Sequence, residues 1–260
     1  MTNWELFKKL CLIIGGQCEH TLAEVIDRDC FCRITDLAAE RDLMPALATR
    51  LNEQQSLIQR ITPELNETLQ QALLQNTQRK LQIHAQAIKL TRVLNCAGIE
   101  PLFLKGTAQL LSNPDIPAGF RKQVDIDILL APDQVSPACE ALKKDGYLFY
   151  DFTQEQPQPF ADTARALAIS HHHHHLPPMG KQGYDATLEI HKQPLRKRFQ
   201  RAMPVEQLLR SAISCESHGA KFLIPGAESQ LLQIILGEFI HDGYAARYEF
   251  PIRAGRDYIE

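Results

Sequence analysis

Val124-Asp125-Ile126-Asp127-Ile128-Leu129-Leu130 decides how this chain is to be read. Alternation of apolar and acidic residues marks a β-strand with one face turned to a core. Val124, Ile126 and Ile128 fall on one face, and Asp125 and Asp127 share the other. Two carboxylates side by side on a sheet repel each other unless a cation sits between them. Paired acids of this kind hold Mg²⁺ for phosphate chemistry. Upstream, Leu104-Lys105-Gly106-Thr107 closes an apolar run that begins at Pro101 and opens a helical one, Ala108-Gln109-Leu110-Leu111. A glycine at a strand-to-helix turn lets the backbone approach a phosphate, and a helix N-terminus favours its charge. The two segments together imply a nucleotide and a metal meeting at one edge of a small sheet.

Tyr184-Asp185-Ala186-Thr187-Leu188-Glu189-Ile190-His191 alternates in the same way. Ala186, Leu188 and Ile190 are expected to face inward, and Thr187, Glu189 and His191 outward. If this strand lies beside the acidic one, Glu189 becomes a third carboxylate; taken alone, it reads first as a solvated strand residue. Three clustered acids in a partly desolvated cleft would repel one another, with raised pKa values until a metal binds.

These motifs resemble the nucleotidyltransferase superfamily, whose fold is shared with DNA polymerase beta. The chain is most similar to the bacterial group of uncharacterised nucleotidyltransferases. There a Leu-Lys-Gly motif follows a long helix and a short strand, and an Arg precedes an Asp-Ile-Asp strand. A helix ending in Gly-Tyr and a Leu-Glu-Ile-His-like strand come later. Leu104-Lys105-Gly106, Arg121, Asp125-Ile126-Asp127, Gly146-Tyr147 and Leu188-Glu189-Ile190-His191 stand here in that order, within residues 99–194. Gly106-Thr107 replaces the Gly-Ser common in the superfamily, and Thr supplies the same amide and a hydroxyl. Nucleotidyltransferase toxins of abortive-infection systems carry a similar Lys-Gly-Gly-Thr start, of which this chain lacks the second Gly.

The resemblance implies a metal-dependent enzyme that moves a nucleoside monophosphate from an NTP, by default ATP, to a hydroxyl acceptor and releases pyrophosphate. Asp125 and Asp127 would bind two Mg²⁺ ions, about 3.5–4 Å apart in sites of this type. Glu189 would complete the metal shell and help deprotonate the acceptor. Gly106 and Thr107 would hold the outer phosphates through backbone amides, and Lys105 and Arg121 would neutralise phosphate charge. His191 either contacts substrate or orients Glu189, or is a bystander on that face. The acceptor is open: a small molecule, a protein side chain or an RNA end. Two alternatives stand beside this reading: a nucleotide-binding or scaffold protein that kept the fold without transfer, and the abortive-infection toxin.

The rest of the chain frames this core. The fold class is α+β: a small mixed sheet flanked by helices, over 98–194, between helical regions at 1–97 and 195–260. Apolar spacing predicts helices over 4–14, 21–29 and 34–52, the last interrupted near Pro45. Another, opened by Thr62-Pro63-Glu64, runs to Ala97 and is stopped by Gly98. Strands are expected over 99–104, 122–130, 147–152, 168–176 and 184–191. Helices are expected over 107–112 and 136–145, and again over 205–213 and 228–241. The pattern breaks off over 253–260, as a short last helix or a fragment would.

The 260 residues carry a formal net charge of −3, which gives bulk electrostatics no pull toward duplex DNA or anionic lipid. No apolar run reaches the length of a membrane span and Met1-Thr2-Asn3-Trp4-Glu5 lacks a signal-peptide pattern, so a reducing cytoplasm is the expected setting. Cys11, Cys18, His20, Cys30 and Cys32 cluster without a Cys-x-x-Cys pair and read as core packing rather than a metal site. Five consecutive histidines occupy 171–175. On a strand, His171, His173 and His175 would share one face and His172 and His174 the other. Either they are a solvated, partly stacked strand or one face lines the site. Imidazoles suit zinc or nickel rather than Mg²⁺, so adventitious binding of those metals follows in both cases.

Overall fold

The computed structural model describes residues 2–15, 28–53, 58–59, 61–152, 156–160, 162–170 and 173–241. Most of the helix expected over 21–29 lies outside the described residues, as do Cys18, His20, His171, His172 and the stretch 253–260. The chain divides into two compact units, each built from two stretches.

The first unit takes Met1–Lys80 and Asp115–Gln123. Helix α1 (Asn3–Ile14) opens on a capping box in which Thr2 and Glu5 satisfy each other's backbone amides. The apolar stretch expected over 34–52 is two helices, α2 (Arg28–Glu40) and α3 (Met44–Glu53). Asp42, at φ 58°, turns the chain between them, and Pro45 sits in the first turn of α3, where its missing N–H leaves no bond unmade. Leu6, Leu10, Ile13, Ile34, Leu47 and Leu51 are buried. Helix α4 (Pro63–Cys96) starts where expected, the Thr62 hydroxyl accepting the Leu65 amide at 3.2 Å. Its first half belongs to this unit, where the Asn76 side chain donates to the carbonyls of Ala118 and Arg121.

The second unit takes Leu81–Pro114 and Val124–Glu260. Gly98, at φ 74°, ends α4 in the left-handed conformation that glycine tolerates. There follow β1 (Leu102–Phe103), α5 (Lys105–Ser112), β2 (Asp125–Leu129), α6 (Val135–Lys144), β3 (Leu148–Asp151) and β4 (Gln158–Pro159). After them come α7 (Thr163–Ile169), β5 (Met179–Gly180), β6 (Thr187–His191), a 3₁₀ turn (Lys197–Ala202) and α8 (Val205–Ser211). The hairpin β7 (Ile213–Ser217) and β8 (Ala220–Ile224) leads to α9 (Ala227–Gln233), which continues in wider π turns over Ile234–His241. Among the described residues the strands form one sheet in the order β4-β3-β5-β6-β2-β1-β8-β7. The pairs β2·β6 and β1·β8 are parallel and the others antiparallel. The architecture is therefore the α+β one expected, a mixed sheet flanked by helices. No helix among the described residues is long and apolar enough to cross a membrane.

Alternation gives the sheet two different faces. Ile126, Ile128, Leu188, Ile190, Phe103 and Phe222 join one large apolar cluster with Ile83, Ala87, Leu90 and Leu94 of α4. Gln86 fixes that helix to β6, donating to the Ala186 carbonyl at 3.0 Å. On the other face Leu102, Leu104 and Leu129 pack with Leu195, Met203, Val205 and Leu208. The acids of β2 share this second face.

Three expectations are corrected. Val124 does not point into the core: it precedes β2 and is 42 % exposed. Residues 168–170 and 173–176 do not form the expected strand. Asp162 caps α7, accepting the Ala164 amide at 2.8 Å, and the alanine-rich segment runs as helix to Ile169. Among the described residues of this stretch, His175 makes a β-bridge, an antiparallel one to His191. The C-terminal region is not all helical, because β7 and β8 form a hairpin that extends the sheet. His218 and Gly219 at its turn have φ of 51° and 71°, matching the twist of a two-residue hairpin loop.

Candidate active site

The parallel pairing of β2 with β6 builds the site. Its register sets Asp125 opposite Thr187, Asp127 opposite Glu189 and Leu129 opposite His191. Because both strands have period two, Asp127, Glu189 and His191 emerge on one face. The donor atoms of these three lie within 4.8 Å of one another. On the other side of β2, antiparallel β1 pairs Leu102 with Leu129 and Phe103 with Ile128. The Leu104 amide then donates to the Asp127 carbonyl at 3.0 Å, so the turn into α5 starts beside Asp127.

Lys105 opens that turn. Its φ of 50° is left-handed, a conformation that costs a non-glycine residue about 1–2 kcal/mol. Its ammonium donates to Asp127 Oδ1 at 2.8 Å, and His191 Nε2 lies 2.8 Å from the same oxygen. A carboxylate only accepts, so that nitrogen carries the hydrogen. Asp127 is 2 % exposed. Burial pushes its carboxyl upward, but the Lys105 charge and the His191 hydrogen bond outweigh that and hold it below the usual carboxylate range. Burial likewise works to lower the Lys105 pKa, and the Asp127 charge and hydrogen bond reverse it, leaving the ammonium above its ordinary value. Glu189 goes the other way: burial first, then the Asp127 charge, raise its carboxyl. The expectation of raised carboxylates therefore fails at Asp127, because a lysine stands there as the counter-charge, and matches the direction at Glu189.

The remaining candidates fall in different places. Asp125 lies on the Asp127 face of β2, half-buried, and is outside the convergent donor set. Its carbonyl accepts the Thr107 hydroxyl at 3.4 Å, tying α5 to β2. Gly106 and Thr107 are buried in the first turn of α5, which has no side-chain cap at Leu104. Arg121 belongs to the first unit, where its carbonyl binds Asn76. His191 is fully buried instead of outward-facing.

Sequence reasoning left open that one face of the histidine tract lines the site, without naming which rings would meet His191. The His174 and His175 rings lie 5.3 and 5.4 Å from it. The bridge between His175 and His191 was the missing signal, and a helix-to-bridge change inside a histidine tract leaves no periodicity to read.

The two carboxylates on adjacent strands, with the His191 imidazole beside them, are a group that could hold a divalent cation. A mixed sheet carrying these acids beside a strand–turn–helix with Lys-Gly-Thr defines a nucleotidyltransferase-type protein. The family model described as uncharacterised nucleotidyltransferase matches residues 31–248, and the chain belongs to that family. Membership supports a transferase acting in nucleotidyl transfer, with a nucleoside triphosphate as substrate. Comparison with curated proteins and with solved structures finds no match.

Proposed function

We propose that this chain is a metal-dependent nucleotidyltransferase that moves a nucleoside monophosphate from an NTP to a hydroxyl acceptor. The observation that carries the reading is the register pairing of Asp127 with Glu189, next to the Lys105-Gly106-Thr107 turn. Asp127 and Glu189, with Asp125 on the same face, would hold Mg²⁺. A bound Mg²⁺ would supply charge neutralisation on the phosphates.

The protein's own residues account for the rest. The amides at the uncapped start of α5 suit phosphate oxygens. Lys105 is the cation nearest to hand for the outer phosphates once Asp127 has another partner. The acceptor oxygen attacks the α-phosphorus, the bond to the β-phosphate oxygen breaks, and pyrophosphate leaves with the electron pair. The hydroxyl proton goes to Glu189, the carboxylate that register places beside Asp127. Positioning and charge supply most of the rate in such a site.

The test is Mg²⁺-dependent pyrophosphate release from each of the four NTPs, with Asp127→Ala and Asp125→Ala as controls. Release that needs Mg²⁺ and disappears in Asp127→Ala supports the reading. Equal release from Asp127→Ala overturns it.

A further inference from the structure

We propose that His174, His175 and His191 form a second cation site in this chain, one that takes a divalent transition metal such as Zn²⁺, with Asp127 as the outer partner of His191. The site shares His191 and Asp127 with the carboxylate cluster, but it uses the other ring nitrogen of His191 and does not depend on nucleotidyl transfer.

Three observations carry it. The three rings stand 4.7, 5.3 and 5.4 Å apart, centroid to centroid. Imidazoles on one tetrahedral ion have metal–nitrogen distances of about 2.0–2.1 Å, which puts their centroids roughly 5 Å apart. Second, His191 gives its Nε2–H to Asp127 at 2.8 Å, and its Nδ1 is buried without a hydrogen-bond partner. In the neutral ring that atom is a bare lone pair, costly to bury unless something binds it. A carboxylate holding the far nitrogen of an imidazole is the usual outer-shell arrangement of a metal-bound histidine. Third, His175 Nδ1 donates to the Leu176 carbonyl at 2.7 Å, which leaves Nε2 as its lone pair.

The donor atoms that converge as the side chains stand are those of Asp127, Glu189 and His191. Bringing His174 and His175 onto the ion takes ring movement, which their partial exposure permits and which for His175 loosens the bond to the Leu176 carbonyl. Lys105 opposes a cation near both rings and Arg196 one near His174, while Asp127 favours one near His175. Neutral imidazole ligands with one carboxylate behind them suit zinc and not Mg²⁺.

The experiment must separate this site from a histidine tract that binds metal anyway. Full-length protein is titrated with Co²⁺, read by visible absorption, and with Zn²⁺, read by calorimetry. One equivalent of Co²⁺ giving the intense bands of a tetrahedral ion is expected in wild type and in H171N/H172N/H173N. In H174N/H175N, with a melting curve to confirm that it folds, affinity should fall by about 100-fold or more and the bands disappear. His191→Gln should lose the bands too, with a melting curve to confirm that it folds; if it does not, the H174N/H175N result decides. Wild-type bands and affinity in H174N/H175N, or their loss in H171N/H172N/H173N, would overturn the proposal. Pyrophosphate release measured on the same samples with Mg²⁺ shows separately whether the transfer reading stands.

Discussion

The Lys105 ammonium and the Asp127 carboxylate meet at 2.8 Å across the β1–α5 turn, and Asp127 is the most deeply buried acid of the site. The protein thus carries an internal cation where a metal is expected to act. Lys105→Met removes it and leaves a buried carboxylate with His191 as its remaining partner on that oxygen. Breaking a buried pair costs about 3–5 kcal/mol, and the 30 % exposure of the Lys105 side chain points to the low end. Denaturant unfolding without metal should show a loss of about 3 kcal/mol, and Mg²⁺ should recover more of it than it adds to wild type. A variant as stable as wild type would mean that Asp127 is not held by this pair.

Gly119 makes the tightest glycine contact in the first unit. A Cβ there would meet the Pro45 carbonyl oxygen at 2.5 Å and Thr49 Oγ1 at 1.8 Å. Thr49 can rotate, but its hydroxyl is bonded to the same carbonyl at 3.0 Å, and the carbonyl is backbone. Gly119→Ala should destabilise the protein by about 1–3 kcal/mol through overpacking, read as a lower melting temperature. Thr49→Ala added to it should restore only part of the loss, because the carbonyl contact remains.

Much of the second unit is legible because β2 and β6 combine strict alternation with acids, and because Thr62-Pro63 and Gly98 bound α4 in the ordinary way. The elements that escaped have local signals outweighed by their surroundings. Ile213–Ser217 is largely exposed and polar, so its alternation is faint, although His218-Gly219 is a hairpin turn in retrospect. The Asp127–Lys105 pair could not be read at all. It depends on the β1·β2 register, a contact between strands separated by α5 and a loop, and short motifs do not encode that distance. The burial of His191 follows likewise from a bridge to His175 that no spacing rule predicts.

Alkaline stability should depend on Tyr147. Its ring is 2 % exposed, Gln86 donates to its hydroxyl at 3.3 Å, and burial pushes its pKa up to about 12. In the unfolded chain the phenol ionises near 10. Between those values the folded protein keeps a proton that the unfolded chain releases, so stability is full below pH 10 and falls as pH rises toward 12. The slope contributed by one such group approaches about 1.4 kcal/mol per pH unit. Tyr147→Phe should flatten the decline of melting temperature over that window. An unchanged decline would assign it to other groups, Cys11 and Cys139 among them, whose thiols burial raises to about 11.

Metal dependence tests the site most directly, and the Lys105–Asp127 pair sharpens what to expect. Mg²⁺ that binds the folded arrangement and not the unfolded chain stabilises by mass action, by about 2.7 kcal/mol at a hundredfold excess over its dissociation constant. Binding at Asp127 must displace the Lys105 ammonium, so apparent Mg²⁺ affinity should be weak in wild type and tighter in Lys105→Met. An NTP should tighten it in wild type, because its phosphates offer the freed ammonium a new partner. Asp127→Asn should abolish the Mg²⁺-induced rise in melting temperature. Asp125→Asn should reduce it less, since Asp125 stands outside the convergent donor set. Mg²⁺ is used because imidazole binds it poorly, which keeps the histidines out of the measurement. Equal Mg²⁺ shifts in wild type and Asp127→Asn would show that the metal binds elsewhere, and the register pairing of Asp127 with Glu189 would then be a structural contact without a catalytic consequence.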